Sequence, residues 1–115
     1  MKEGKFILWL DEIELSDLPQ VGGKNASLGE MIKELSSKGV DIPHGYAITS
    51  YAYRYLISSA HLEERIRETL SDLDTHDIQN LKDRGNKIRS LIYNAVIPDD
   101  LKSAIVNAYR KLCSE

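Results

Sequence analysis

Only two segments of this 115-residue sequence have the character of β-strands, and they lie far apart along the chain. Residues 6–10 (FILWL) form a continuous apolar run between charged residues, which favours a strand covered on both faces. Residues 45–49 (GYAIT) suit a pleated surface, and the preceding Pro43 favours extended backbone. Two such strands cannot protect their own edges. We therefore expect each strand to need partners from outside the chain and to expose apolar surface without them.

The next constraint is a helical repeat that starts directly after two glycines. Leu28, Met31, Ile32 and Leu35 fall at i, i+3, i+4 and i+7, which predicts an amphipathic helix following Gly22 and Gly23. Gly39 stands where a glycine commonly ends a helix.

Four more apolar stripes predict helices later in the chain. Ser50 is the expected cap of the first, the acidic residues up to Asp77 mark the start of the third, and Pro98 opens the last. Gly85, inside the third, is expected to mark a close packing contact. The stripes are Ala52-Tyr55-Leu56-Ser59, Leu62-Ile66-Leu70, Ile78-Leu81-Ile88-Leu91-Ile92 and Leu101-Ala104-Ile105-Ala108-Leu112. The prediction is a mostly helical α+β fold of about five helices and two short strands, forming a single domain over residues 1–115.

Composition excludes several classes of partner. Fifteen Lys and Arg against eighteen Asp and Glu give a net charge of −3, so nothing favours nucleic acid or an anionic membrane. The apolar run at residues 6–10 is too short for a signal peptide or a membrane span. A single cysteine, Cys113, cannot form an internal disulfide, which indicates a reducing compartment, the cytoplasm.

The glycines and Lys24 contain the parts of a phosphate site. Gly22 and Gly23 let backbone N–H groups approach an anion, the following helix start adds partial positive charge, and Lys24 adds an ammonium. The spacing matches neither the common phosphate loop nor the dinucleotide fingerprint. The alternative is a flexible corner in which Asn25 or Ser27 caps the helix, with Ser27 and Glu30 as a capping box.

Other chemically active side chains lack partners in the sequence. His44, His61 and His76 have no carboxylate or thiol at a useful spacing, so structural or solvent-exposed roles are expected. Cys113 has no histidine or basic cluster around it, which favours a small apolar residue over a nucleophile.

Several segments, in order, resemble the start of the nucleotide-binding domain of phosphoenolpyruvate synthases, also called pyruvate, water dikinases. The most specific is VGGKNASLGEM at residues 21–31. The resemblance also includes WLDEI at residues 9–13, the pattern GVxIPxGYAxT at residues 39–49, and Ala52-Tyr53. The later helices resemble the family mainly in pattern, including Ile88-Arg89 and Ala108-Tyr109, so the resemblance covers nearly the whole chain. Tyr46 stands where the family more often has phenylalanine and keeps an aromatic side chain there.

This resemblance implies an N-terminal fragment of an ATP-grasp-like domain that binds ATP with Mg²⁺. In the family, this domain phosphorylates a histidine on another domain, and that phosphohistidine then phosphorylates pyruvate. ATP, pyruvate and water become phosphoenolpyruvate, AMP and phosphate, a step of gluconeogenesis. Lys24 is implied to contact the ATP phosphates, with Gly22 and Gly23 shaping the backbone. The metal ligands, the histidine and the pyruvate-site cysteine are implied to lie outside this chain, which alone is expected to be inactive.

Two other interpretations stay open. The same ATP-binding domain occurs in pyruvate phosphate dikinases and rifampicin phosphotransferases, whose acceptor specificity is implied to lie in later domains. In a different class, the chain is a free-standing helical binding module that kept the fold and lost the nucleotide. That module is expected to be complete at Glu115 and indifferent to ATP.

Overall fold

The computed structural model describes residues 2–115, which group into two compact units. Unit 1 contains residues 2–53 and 99–115, and unit 2 contains residues 54–98. The elements in chain order are β1 (Ile7–Trp9), α1 (Leu18–Leu35), β2 (Tyr46–Ile48), α2 (Ser50–Ser59), α3 (Glu63–Leu70), α4 (Ile78–Tyr93) and α5 (Asp99–Cys113). The predicted class, mostly helical α+β with five helices and two short strands, is confirmed.

The two strands pair with each other, which the sequence analysis did not predict. They form an antiparallel pair in which Leu8 lies opposite Ala47, and both of these residues are buried. Ile7 and Trp9 on β1 are only half-buried, so the expectation of a strand fully covered on both faces was also wrong. The strand ends are fixed by backbone hydrogen bonds from Leu10 N–H to the Gly45 carbonyl and from Thr49 N–H to the Phe6 carbonyl, at 2.9 and 3.0 Å.

Helix α1 begins earlier than its apolar repeat predicts. It starts at Leu18, before the glycines, because Pro19 fits the first turn of a helix, where its missing N–H costs no hydrogen bond. A 3₁₀ turn, Ser36–Lys38, extends it to Gly39, whose φ of +80° is left-handed. Val40 N–H donates to the Leu35 carbonyl and Gly39 N–H to the Ser36 carbonyl, which is the Schellman pattern. The prediction for Gly39 is confirmed.

Small residues, rather than the predicted apolar stripe, make the closest contact of α1. Ala26 and Gly29 are buried, whereas Met31 is exposed. A Cβ placed on Gly29 would lie 2.4 Å from the carbonyl oxygen of Ile13 and 2.9 Å from its Cβ, closer than real atoms approach. Leu28 and Ile32 pack at the edge of a core of Leu8, Leu10, Ile13, Val21, Ala26 and Ala47. The absence of a side chain at Gly29 thus sets how near α1 lies to the segment after β1.

Helix α2 is capped by the residue before the expected one. The Thr49 hydroxyl accepts from Ala52 N–H at 3.2 Å and donates to the Lys5 carbonyl at 2.6 Å, so a buried side chain both caps α2 and binds the N-terminal segment. Ser50, the predicted cap, is the first helical residue and donates to the Pro19 carbonyl instead.

The predicted start of α4 is confirmed, and α5 begins one residue after the predicted Pro98. The Asp77 carboxylate accepts from Asn80 N–H at 3.2 Å at the start of α4. Pro98 directly precedes α5, in which Leu101 and Ala108 of the predicted stripe are buried.

Unit 2 leaves more apolar surface uncovered than the strands do. No residue of α4 is buried, and Ile78, Tyr93 and the following Val96 are 81%, 89% and 82% exposed. A Cβ on Gly85 would meet only the flexible guanidinium of Arg89, so the expected close packing contact is absent. Instead, Arg84 connects α4 to α3 by donating to the Thr69 carbonyl, at 2.6 Å, and to the Asp72 carboxylate.

Replacing Gly29 by alanine is expected to destabilise unit 1. The added methyl overlaps the Ile13 backbone, which cannot move as a flexible side chain would, so we expect a loss of about 1–3 kcal/mol in the free energy of unfolding. Urea denaturation measures this loss, with Ser27→Ala, an exposed position on the same helix, as the control. A Gly29→Ala variant as stable as the control would show that α1 does not lie this close to Ile13.

Candidate functional site

The predicted Gly-Gly-Lys turn exists as a break inside α1. Gly22 has φ +82° and ψ 165°, a backbone region that essentially only glycine occupies. One helical turn, residues 18–21, precedes the break, and helical backbone resumes at Gly23. The chain therefore begins a helix twice within a few residues, and the second start coincides with Gly23 and Lys24.

The surface above the break is open. Gly22 and Gly23 are exposed, and a Cβ built on either meets no atom within 4 Å. The first-turn N–H groups of a helix are commonly the ones that an anion binds. An anion can therefore approach the backbone here without displacing a side chain.

Lys24 supplies a mobile positive charge at the same place. Its side chain is exposed and makes no hydrogen bond or ion pair with any residue in the range 2–115. By contrast, Lys33 on the same helix pairs with Glu14 at 3.3 Å. An uncommitted ammonium beside a helix N-terminus is a combination that can hold a phosphate group.

Asn25 has a role that the sequence analysis missed. Its side-chain amide donates to the carbonyl of Val21 at 2.9 Å, so the hydrogen bond spans Gly22 and joins the two helical segments. Ser27 and Glu30 lie inside the helix, where they cannot form the expected capping box. Asn25 stands four positions after Val21, the residue that directly precedes Gly22. A polar residue at this spacing across a glycine is the sequence signal that could have identified this contact.

An ion pair between the buried Asp17 and the half-buried Lys2 holds the segment that enters α1. Asp17, directly before the helix, lies 2.6 Å from Lys2 Nζ and accepts from Glu14 N–H at 2.9 Å. Burial alone would raise the pKa of Asp17, but these two hydrogen bonds favour its charged form, and the pKa lies below its ordinary value. The hydrogen bond with Asp17 raises the pKa of Lys2.

The histidines and the cysteine form no cluster at the glycines. His44 stacks on Trp9, with ring centroids 5.0 Å apart, and its Nε2 lies 3.6 Å from the Glu115 carboxylate. His61 and His76 are exposed in unit 2, and Cys113 is exposed at the end of α5 rather than packed as a small apolar residue. Across residues 2–115, no three His, Cys, Asp or Glu side chains gather in a geometry that could hold a metal ion.

A separate open cavity lies in unit 2. It has a volume of about 980 Å³, and its lining includes Arg65, Lys87, His61, Leu62 and Leu91. This cavity contains no residue of the glycine break. None of the helices in residues 2–115 has both the length and the apolar character needed to cross a membrane.

Comparison with known families assigns the chain. Residues 18–115, which begin at the first residue of α1, match the family described as pyruvate phosphate dikinase, AMP/ATP-binding domain. The chain belongs to that family. The matched region includes the whole glycine break and everything that follows it.

The chain is also similar to proteins named phosphoenolpyruvate synthase. It is 48% identical to the one from Synechocystis over 97% of its length, 47% identical to the one from Aquifex aeolicus over 96%, and 38% identical to the one from Escherichia coli over 95%. It spans only 13–14% of the length of these relatives.

Removing the Asp17 carboxylate is expected to destabilise the chain in a pH-dependent manner. Because the folded pKa of Asp17 is depressed, its contribution is complete above the unfolded value near 3.8 and is lost as the pH falls through the lower folded value. At neutral pH we expect Asp17→Ala to cost about 1–3 kcal/mol, since Lys2 and Glu14 N–H lose their partner.

Denaturant titrations from pH 7 downward measure the difference between parent and variant. It should shrink below pH 3.8, while the exposed control Asp41→Ala stays close to the parent throughout. A difference that does not change with pH would contradict this assignment.

Proposed function

We propose that residues 22–24 form part of the phosphate-binding wall of an ATP site in a phosphotransferase. The observation that carries this proposal is the non-helical Gly22 with open space above it, in a chain of an AMP/ATP-binding family. Gly22 creates the second helix start, Gly23 leaves its backbone approachable, and Lys24 offers an unpaired ammonium. These groups act by offsetting phosphate charge, which is the main demand of phosphoryl transfer.

For the complete protein, we propose the activity named in its relatives, phosphoenolpyruvate synthesis. ATP, pyruvate and water would be converted to phosphoenolpyruvate, AMP and phosphate through a phosphohistidine on another domain, in the gluconeogenic direction and in the cytoplasm. Mg²⁺ would neutralise the phosphate oxygens opposite Lys24, with its protein ligands outside this chain. In this proposal, residues 1–115 are one part of an ATP-grasp-like domain and are inactive alone. The support is the identity of 38–48% to proteins named phosphoenolpyruvate synthase.

Pyruvate phosphate dikinase is the second candidate, because the matched family carries that name. Both candidates use the same ATP wall and differ in the acceptor of the second phosphoryl group, water or phosphate. Assaying the complete gene product with ATP and pyruvate, with and without added phosphate, separates them, because only pyruvate phosphate dikinase requires added phosphate.

Replacing Lys24 by alanine tests the proposed wall. Loss of one charge-assisted contact to phosphate should weaken Mg·ATP binding by the complete gene product about tenfold to a hundredfold. Calorimetric titration measures the affinity, and Lys102→Ala, which removes another exposed lysine from unit 1, should leave it unchanged. Equal affinities for both variants and the parent would refute the role of Lys24.

Replacing Gly23 by alanine tests whether this glycine is required for folding or for ligand binding. The fold has room for a Cβ at this position and no positive φ, so Gly23→Ala should keep or slightly raise the melting temperature. Its methyl group would stand where a phosphate approaches, so Mg·ATP affinity should fall about tenfold or more. Gly22→Ala, which strains the backbone in any case, should lower both. Unchanged affinity for Gly23→Ala would place the phosphate elsewhere.

A further inference from the structure

The hydrogen bond from the Asn25 side chain to the Val21 carbonyl spans the one residue of α1 with non-helical backbone. In a continuous α-helix, the carbonyl of residue i accepts from the backbone N–H of residue i+4. Between Val21 and Asn25 stands Gly22, whose φ and ψ are not helical. Here the side-chain amide of Asn25 reaches the Val21 carbonyl, at 2.9 Å.

Unit 2 contains a similar side-chain hydrogen bond at a place where the helix has no break, which allows a comparison. Asn94 also donates from its side-chain amide to the carbonyl four residues earlier, that of Ser90, at 2.9 Å. The backbone N–H of Asn94 donates to the same oxygen at 3.0 Å, so the side chain there only adds to an existing helical bond. The Asn25 side-chain bond differs in that it spans Gly22, whose backbone is not helical.

We infer that Asn25 is a positioning residue for the phosphate wall. Its side-chain amide fixes the two helical segments on either side of Gly22, which holds the Gly23 and Lys24 backbone in its binding shape before a ligand arrives. This inference rests on the proposed function, because it assigns a task to Asn25 within that site. A wall that is already ordered binds more tightly, since less conformational freedom is lost on binding.

Two substitutions of Asn25, by threonine and by valine, differ from each other mainly in one hydroxyl. Thr69, inside α3, donates from its hydroxyl to the carbonyl of Arg65, four residues earlier, at 2.7 Å. Threonine at position 25 keeps a hydroxyl donor on the side chain, while valine has nearly the same shape and none. We expect Asn25→Val to bind Mg·ATP about tenfold more weakly than the parent and Asn25→Thr to stay within about threefold, measured on the complete gene product.

Backbone measurements without ATP provide the second readout. In the 115-residue chain, amide hydrogen exchange at Gly23 and Lys24 should be faster in Asn25→Val than in Asn25→Thr or the parent. The matched control Asn94→Ala, which removes the similar bond in α4, should change neither the exchange at these residues nor the affinity. Equal affinity and equal exchange for the valine and threonine variants would overturn the inference.

The two proposals fail in different ways. If Lys24→Ala binds Mg·ATP as the parent does, the proposed phosphate wall is wrong. The role of Asn25 in holding the break is still decided by exchange in the unliganded chain. If Lys24→Ala loses affinity while Asn25→Val keeps it, the wall stands and Asn25 does not position it.

Discussion

The close approach of α1 to Ile13 is the constraint on which unit 1 depends. A carbonyl oxygen of the segment after β1 occupies the space that a side chain at residue 29 would take. With Ala26 beside it, the helix presents a nearly flat face to a core that includes Leu8. Because backbone lies against backbone here, neither partner can adjust by changing a rotamer. The rotation of α1 about its axis is thereby fixed, and with it the residues that face solvent.

Because the rotation of α1 is fixed, the break at Gly22 determines which residues near it are exposed. In an uninterrupted helix, residues 22, 26 and 29 would share one face, and that face is buried at Ala26 and Gly29. Gly22 is nevertheless exposed, although Val21 before it and Ala26 after it are buried, because its backbone leaves the helical region. The interruption therefore brings the glycines to the surface while the rest of the helix stays packed. The exposed residues 22–24 therefore lie between two buried positions of the same helix, Val21 and Ala26.

The sequence predicted local features well and tertiary ones poorly. Gly39 and Asp77 were correctly identified as helix boundaries, because a left-handed φ and a side-chain cap are decided within a few residues. Pairing of the strands at Leu8 and Ala47 was not, since it requires α1 and the following loop to bring them together. Thr49 displaced Ser50 as the cap of α2 because its hydroxyl also binds a carbonyl at Lys5, which no local pattern reveals.

The two glycines of the candidate site differ in how far the fold explains them. Gly22 is explained by the fold alone, because its φ of +82° excludes other residues whatever the chain binds. Gly23 is not, because its φ is not positive and the space around it is empty. A glycine that the fold does not require lowers helix stability, by about 1 kcal/mol relative to alanine in a helix interior. The interpretation we favour is that an anion close to the backbone, rather than any group within the chain, is what requires the absence of a side chain at Gly23.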